Sequence, residues 1–267
     1  MKILRMLILT LAAAAALLPF LWLLSTSFKG AEELFAYPPD ILPQTFVWEN
    51  YSGLWNAVPL AGYFLNSSIV TAVSVLVNVL FSSLAGFALA RMRFRLRTTA
   101  FLLVIAAVII PKEVLILPLY TIILTMRLDD SLAGVLLPFL VDGMSIFLMR
   151  QAFLSIPREI EEAGVMDGAG PFRLWWNVMA PMTAPAMATV TIVSFIAAWG
   201  DFLWPLVVLR SPEQYTLQVG LSYLTGTFVD NFRYVAAGGI LSIIPVLIVF
   251  LFMQRHFERG LFSGSNK

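Results

Sequence analysis

Long apolar runs dominate the chain. Six stand out, near residues 6–27, 63–90, 99–124, 132–151, 183–208 and 236–254. A helix needs about 20 apolar residues to cross the hydrocarbon of a bilayer, so runs of this length predict six membrane-spanning helices and an all-α polytopic fold. The first run, with Lys2 and Arg5 ahead of an Ala/Leu stretch, also has the layout of a secretory signal. It continues through Pro19, Phe20, Trp22 and Leu24, beyond the length of a signal core, and reads as a retained helix. Only two connecting segments are longer than turns: 29–62 and 152–182. The whole of 1–267 is expected to form a single membrane domain around these two loops.

Composition supports this reading. Of 267 residues, 60% are hydrophobic and 12% charged, where a soluble domain carries roughly a quarter charged. The surplus apolar surface has to face lipid, which excludes a large soluble enzyme on a membrane anchor. There is no cysteine and one histidine, His256, so a disulfide framework and a thiolate nucleophile are excluded and most metal-site and general-base schemes lose their ligands. None of the four lysines, Lys2, Lys29, Lys112 and Lys267, ends a G-x-x-x-x-G-K run. The chain therefore offers no phosphate-cradling loop of its own.

The charges are sorted. With the N-terminus inside, Lys2, Arg5, Arg91, Arg93, Arg95, Arg97, Arg150, Arg158, Arg173, Arg255, Arg259 and Lys267 all fall on the inner side, twelve of the 17 basic residues. That bias orients a membrane protein with both termini cytoplasmic, in agreement with an even number of spans. The 29–62 segment is then extracytoplasmic, either a solvated loop or a docking surface for an extracytoplasmic partner. The 152–182 segment is cytoplasmic. In it Ser155 is placed to cap a helix, Pro157 fits the first turn, Glu159 and Glu161 sit near the positive end of the helix dipole, Gly168 can end the helix and Pro171 start another. Ile156, Ile160 and Ala163 share one side, and Ala163 with Gly164 permits close approach by a partner, flanked by Glu162 and Asp167. A helix resting on headgroups is the competing reading, but such helices are basic and this one is acidic. A knob for another protein's socket fits better.

The same residues resemble a known pattern. Glu162-Ala-Gly-x-x-Asp-Gly168, nine residues, then Val178-x-x-Pro181 is similar to the EAA loop of bacterial ABC importer permeases, E-A-A-x-x-x-G, nine residues, I-x-L-P. Gly164, Val178 and Ala180 depart from it conservatively. Tyr63-Phe-Leu-Asn-Ser-Ser68, Ala88-Leu-Ala-Arg-Met-Arg-Phe94, Leu117-Pro-Leu-Tyr120, Phe147-Leu-Met-Arg-Gln151, Trp204-Pro205 and the tail from Gln254 resemble segments of the carbohydrate-uptake permeases, in particular the smaller permeases of the maltose and glycerol-phosphate importers. The resemblance implies a type I importer fold in the bacterial cytoplasmic (inner) membrane. It implies Glu162, Ala163, Gly164, Asp167 and Gly168 as the ATPase-coupling residues and a tail from Gln254 that could reach the ATPase. The implied partners are a second, different permease, two cytoplasmic ABC ATPase subunits that bind ATP and Mg, and an extracytoplasmic substrate-binding protein. The chain itself would hold no cofactor or metal, have no catalytic residue and bind no nucleic acid.

Four ionisable residues fall inside predicted spans: Lys112, Glu113, Asp142 and Asp201. Facing lipid each would cost a few kcal/mol, so they are expected to face a watery cavity or the bundle interior. Lys112 and Glu113 follow Pro111, where a kink is expected, and a bridge from Lys112 to Asp142 or Asp201 is the natural pairing. Trp199-Gly-Asp-Phe-Leu-Trp204 sets a carboxylate among rings, chemistry that suits a sugar's hydroxyls and flat C–H face. Lys112, Glu113, Asp142, Trp199, Asp201 and Trp204 are thus the substrate-path candidates, although an aromatic belt would explain the tryptophans too. Three acids against one base disfavour an anionic cargo. An ion-coupled transporter could use the same four charges as a relay but leaves the EAA pattern unexplained, and an intramembrane hydrolase has only His256, far from any span interior, to activate a serine.

Overall fold

The computed structural model describes the backbone of residues 2–226, 229–230 and 232–262, and the side chains of all of these but 226, 229, 230 and 255–262. Of the tail from Gln254, the helical backbone is described to Phe262, while the His256 side chain and residues 263–267 lie outside the described residues. The elements in order are α1 (Lys2–Ser27), α2 (Glu49–Ala57), α3 (Leu60–Arg91), α4 (Arg97–Ile109), a 3₁₀ turn (Lys112–Leu115), α5 (Ile116–Thr125), α6 (Leu132–Leu136) and α7 (Gly143–Leu154). There follow α8 (Arg158–Met166), α9 (Pro171–Arg173), a π turn (Leu174–Met179), α10 (Ala180–Met182), α11 (Ala184–Trp199), α12 (Leu203–Val208), α13 (Leu217–Ser222) and α14 (Phe232–Phe262). A two-residue ladder, β1 (Thr225–Gly226) against β2 (Val229–Asp230), interrupts an otherwise helical chain.

Among the described residues, four helical stretches are long and apolar enough to cross a bilayer: Lys2–Ser27, Leu60–Arg91, Ala184–Val208 and Phe232–Gln254. The third and fourth apolar runs are not single straight helices. Arg97–Ile109 and Lys112–Thr125 meet at 92°, and Leu132–Phe139 and Gly143–Leu154 at 46°. The first break follows from Pro111: a residue before proline is driven out of the helical region, and Ile110 is extended with ψ 119°. Pro111 itself is extended (ψ 133°) before the 3₁₀ turn resumes. At the second, Asp142 caps α7, its carboxylate accepting the Ser145 N–H at 3.0 Å. A charge that the sequence places inside a span is thus a helix cap at a break in it, satisfying an orphan N–H of the first turn.

The chain groups into two compact units, one comprising the residues up to Phe64 with Tyr215–Pro245, the other Leu65–Gln214 with the chain from Val246 on. In the first unit the start of the 29–62 segment folds back on the end of α1. Lys29 is buried, its ammonium donating to the Asp40 carbonyl and lying 4.6 Å from the Trp22 ring. Asn50 donates to the carbonyls of Ser27 and Lys29, both at 2.9 Å, and Phe28 meets Phe46, Trp48 and Tyr51. These bonds satisfy the Lys29 ammonium, the Asn50 amide nitrogen and the carbonyls of Ser27, Lys29 and Asp40.

In the second unit the core of Phe87, Met149, Phe153, Leu174, Trp175 and Met179 packs α3 against α7 and the π turn. At another place the loop ahead of α6 is tied to 209–211: the carboxylate of Asp130 accepts the backbone N–H of Arg210 at 2.8 Å and of Ser211 at 2.9 Å, and the Ser211 hydroxyl. The Ser211 hydroxyl first, then its N–H, hold the Asp130 carboxyl below its ordinary value. A depressed folded pKa contributes stability that is present above the unfolded pKa and lost as pH falls through the lower folded one. The melting temperature in detergent is therefore expected to fall below about pH 4, and Asp130→Asn should flatten that acid limb.

Candidate functional site

A cavity of ≈ 340 Å³ opens within the second unit. One turn of α3 supplies Ser74 and Asn78, the 3₁₀ turn after Pro111 supplies Lys112 and Glu113, and the break before α7 supplies Asp142 and Ser145. Ser194, Asp201 and Trp204 complete the polar and aromatic wall. The two helix breaks, with α3 and the end of α11, thus bring four charges and several hydroxyls to one space. The Lys112 ammonium lies 3.9 Å from Asp142 Oδ1 and 5.2 Å from the Phe139 ring. At that separation, half open to solvent, the pair is a loose one.

Asn78 organises the wall. Its amide nitrogen donates to Ser145 Oγ at 2.9 Å and Ser194 Oγ at 2.6 Å, while its oxygen accepts the Asp142 N–H at 2.9 Å. A single buried amide therefore joins α3, α7 and α11. Sequence reasoning missed Asn78, Ser145 and Ser194 because it looked only for charges; a carboxamide in the middle of an apolar run was the available signal, since such a group needs partners inside the bundle.

Five of the six substrate-path candidates line this cavity: Lys112, Glu113, Asp142, Asp201 and Trp204. Trp199 does not. Its ring is buried and stacks on Phe195 at 5.9 Å, so it packs the helix rather than facing the space. Trp204 has its indole N–H committed to the Val135 carbonyl at 3.1 Å, and its ring meets Phe139 edge-on. The cavity offers carboxylate and hydroxyl acceptors beside aromatic edges, a lining suited to a polyhydroxylated solute.

The second candidate region is the loop around α8. Pro157, not Ser155, occupies its N-cap; the Ser155 hydroxyl donates to Ala152 O at the end of α7. Gly168 ends α8 with φ +78°, donating to Val165 O at 2.9 Å while Ala169 donates to Gly164 O at 3.0 Å. The inward face is Ile160 and Gly164 rather than Ile160 and Ala163. Gly164 is buried, and a Cβ there would come within 2.8 Å of Leu174 Cδ1. Glu162, Ala163, Asp167 and Gly168 are exposed with Met166, which is 88% exposed, and Phe172 and Trp176 expose apolar surface beside them. The short helix thus shows an acidic and apolar outer face, with its inner face seated on the π turn.

Residues 78–263 match the family described as the binding-protein-dependent transport system inner membrane component. The chain belongs to that family. It is therefore a permease component of an ABC importer, a multi-pass protein of the bacterial inner membrane. Among its relatives, the arabinooligosaccharides transport system permease AraQ of Bacillus subtilis is 36% identical over 94% of this chain and 90% of that protein. The sn-glycerol-3-phosphate transport system permease UgpE of Escherichia coli is 31% identical over 95% and 93%. A chain of a bacterial ABC transporter involved in the import of the acidic polysaccharide alginate superposes with a TM-score of 0.83 at 26% identity, covering 96% of both chains.

Proposed function

We propose that this permease forms one half of the pore of an importer for an uncharged sugar, oligosaccharide or polyol. Each bent helix pair counts as one span, giving six, with both termini cytoplasmic. In this reading α8 is the coupling helix, which presents Glu162, Ala163, Asp167 and Gly168 to an ABC ATPase, Gly164 seating it from behind. The chain itself catalyses nothing. ATP and Mg are bound by two ATPase subunits, a second permease completes the pore, and a binding protein delivers cargo to the extracytoplasmic side. Closure of the ATPases would move α8 and switch the pore between inward-facing and outward-facing states.

The observation that carries the cargo class is the lining of the cavity: Glu113, Asp142 and Asp201 against Lys112, with serines and ring edges between them. An anion entering this space meets a net negative wall. The relationship to a glycerol-phosphate permease favours an anionic cargo instead, so the two are tested together. ATP-dependent uptake into proteoliposomes holding the whole transporter is expected to be inhibited by neutral arabino-oligosaccharides and not by glycerol 3-phosphate; the reverse pattern rejects the neutral-cargo reading. Asp201→Asn should raise the half-saturating cargo concentration about tenfold, the worth of one charge-assisted hydrogen bond. A change in expression alone would make Asp201 structural.

A further inference from the structure

We propose that Arg91 is the positioning residue that transmits movement of α8 to the wall of the cavity. The inference rests on the proposed coupling role of α8 and goes beyond it by naming the mechanical joint. Arg91 is the last residue of α3, and its side chain is only 6% exposed. Its guanidinium donates to Phe153 O from Nε at 3.2 Å and from Nη2 at 2.6 Å, to Ile156 O from Nη2, and to Glu161 Oε2 from Nη1 at 3.1 Å. Phe153 lies in the last turn of α7, Ile156 in the link to α8, and Glu161 within α8. One planar, five-donor group thus fastens the ends of two pore helices to the protruding helix. A lysine, with a single point of charge, cannot hold those three positions together.

The joint alone would hold α8 in place; what makes it a transmitter is how α3 and α7 are fixed further along. Beside Gly86 the helices touch so closely that a Cβ would lie 2.7 Å from Met149 Cβ and 2.8 Å from the Arg150 nitrogen. Beyond that, Asn78 bonds Ser145 at 2.9 Å in the cavity wall. From Arg91 to Asn78 is about 20 Å of helix at 1.5 Å per residue. Contact at the clamp, at the glycine and at the cavity leaves little slack for α3 and α7 to slide past one another. Displacing α8 therefore drags both, and with them Ser74, Asn78 and Asp142. The sequence offers Arg91 first as a topology-setting charge, but its burial and its four bonds give it this second task.

The chain has no cysteine, so a single reporter can be introduced. In the full transporter carrying Ser74→Cys, labelling by a membrane-impermeant maleimide is measured with and without ATP and vanadate, alongside the amount of trapped ADP. With Arg91 intact, trapping should change the labelling rate about tenfold, as expected when a two-state pore is driven across its equilibrium. With Arg91→Lys, trapping should persist while the labelling change shrinks below about twofold. Glu161→Gln, which spares the carbonyl bonds, should give an intermediate response, and it carries the comparison if Arg91→Lys fails to assemble. A full labelling response in Arg91→Lys or, where that variant does not assemble, in Glu161→Gln overturns the proposal. So does loss of trapping in step with labelling, which would mark a docking or folding role. If the Arg91 protein itself shows trapping without any change at Ser74→Cys, the proposed coupling of α8 to this cavity fails first.

Discussion

Replacing Gly168 with valine is expected to lower ATP-dependent uptake about tenfold while leaving the protein in the membrane. Gly168 has φ +78°, and nothing lies within 4 Å of where a Cβ would be, so the variant meets no steric clash. A β-branched residue in the left-handed region costs about 1–2 kcal/mol. Relaxing that strain breaks the two bonds at the end of α8, from Gly168 N to Val165 O and from Ala169 N to Gly164 O, at about 1 kcal/mol each. The variant either carries the strain or gives up the bonds, so about 1–2 kcal/mol is set against the docking-competent loop, about one decade in its population. Gly168→Asn, which tolerates a positive φ, should keep most of the uptake. The measurement is transport and ATP hydrolysis side by side in proteoliposomes; equal uptake by the valine and asparagine variants would show that the turn's conformation does not matter.

The second large effect is expected at Asn78. In Asn78→Leu the hydroxyls of Ser145 and Ser194 and the N–H of Asp142 all lose the Asn78 amide, while the Ser145 hydroxyl keeps its bond to Asp142 Oδ2 at 3.3 Å. Orphaned buried groups cost about 1–3 kcal/mol each, partly recovered if water enters from the cavity. A net loss of about 3 kcal/mol is expected, read as a fall in melting temperature in detergent and as loss of saturable uptake. Asn78→Asp, which keeps the shape, should stabilise better than leucine but place a further charge beside Asp142. If leucine melts with the native protein, the amide is not the organising group of the wall.

The apolar runs were enough to read an all-helical membrane chain, and the loop pattern was enough to place the turn at Gly168. What the runs could not show was where a helix breaks. Pro111 was visible as a kink, but a 92° bend needs the neighbouring helices to occupy the freed space. Asp142 looked like a charge marooned in a span because an N-cap inside an apolar run has no hydropathy signal. Trp199 and Trp204 looked alike in sequence, yet one stacks on Phe195 and the other lines the cavity, since five residues and the break at Gly200 turn them to different sides. Gly164 was read as part of the presented face; its burial follows from the π turn beneath it, which composition does not announce.

That π turn also explains why segment length matters here more than composition. In Leu174–Met179 the hydrogen bonds span five residues instead of four, which lodges one surplus residue in the helix. Trp175, 2% exposed, donates its indole N–H to Ser83 Oγ at 3.0 Å, and Met179 is fully buried. Deleting one residue between them would remove that surplus and close the wider turn to an ordinary α turn, so the tryptophan and the methionine, seated by the wider turn, could not both keep their places. The interval from Gly168 to Val178 therefore acts as a rotational phase setting between the protruding helix and the chain that leads into α11. Substitutions within that interval are expected to be absorbed far more readily than any change in its count.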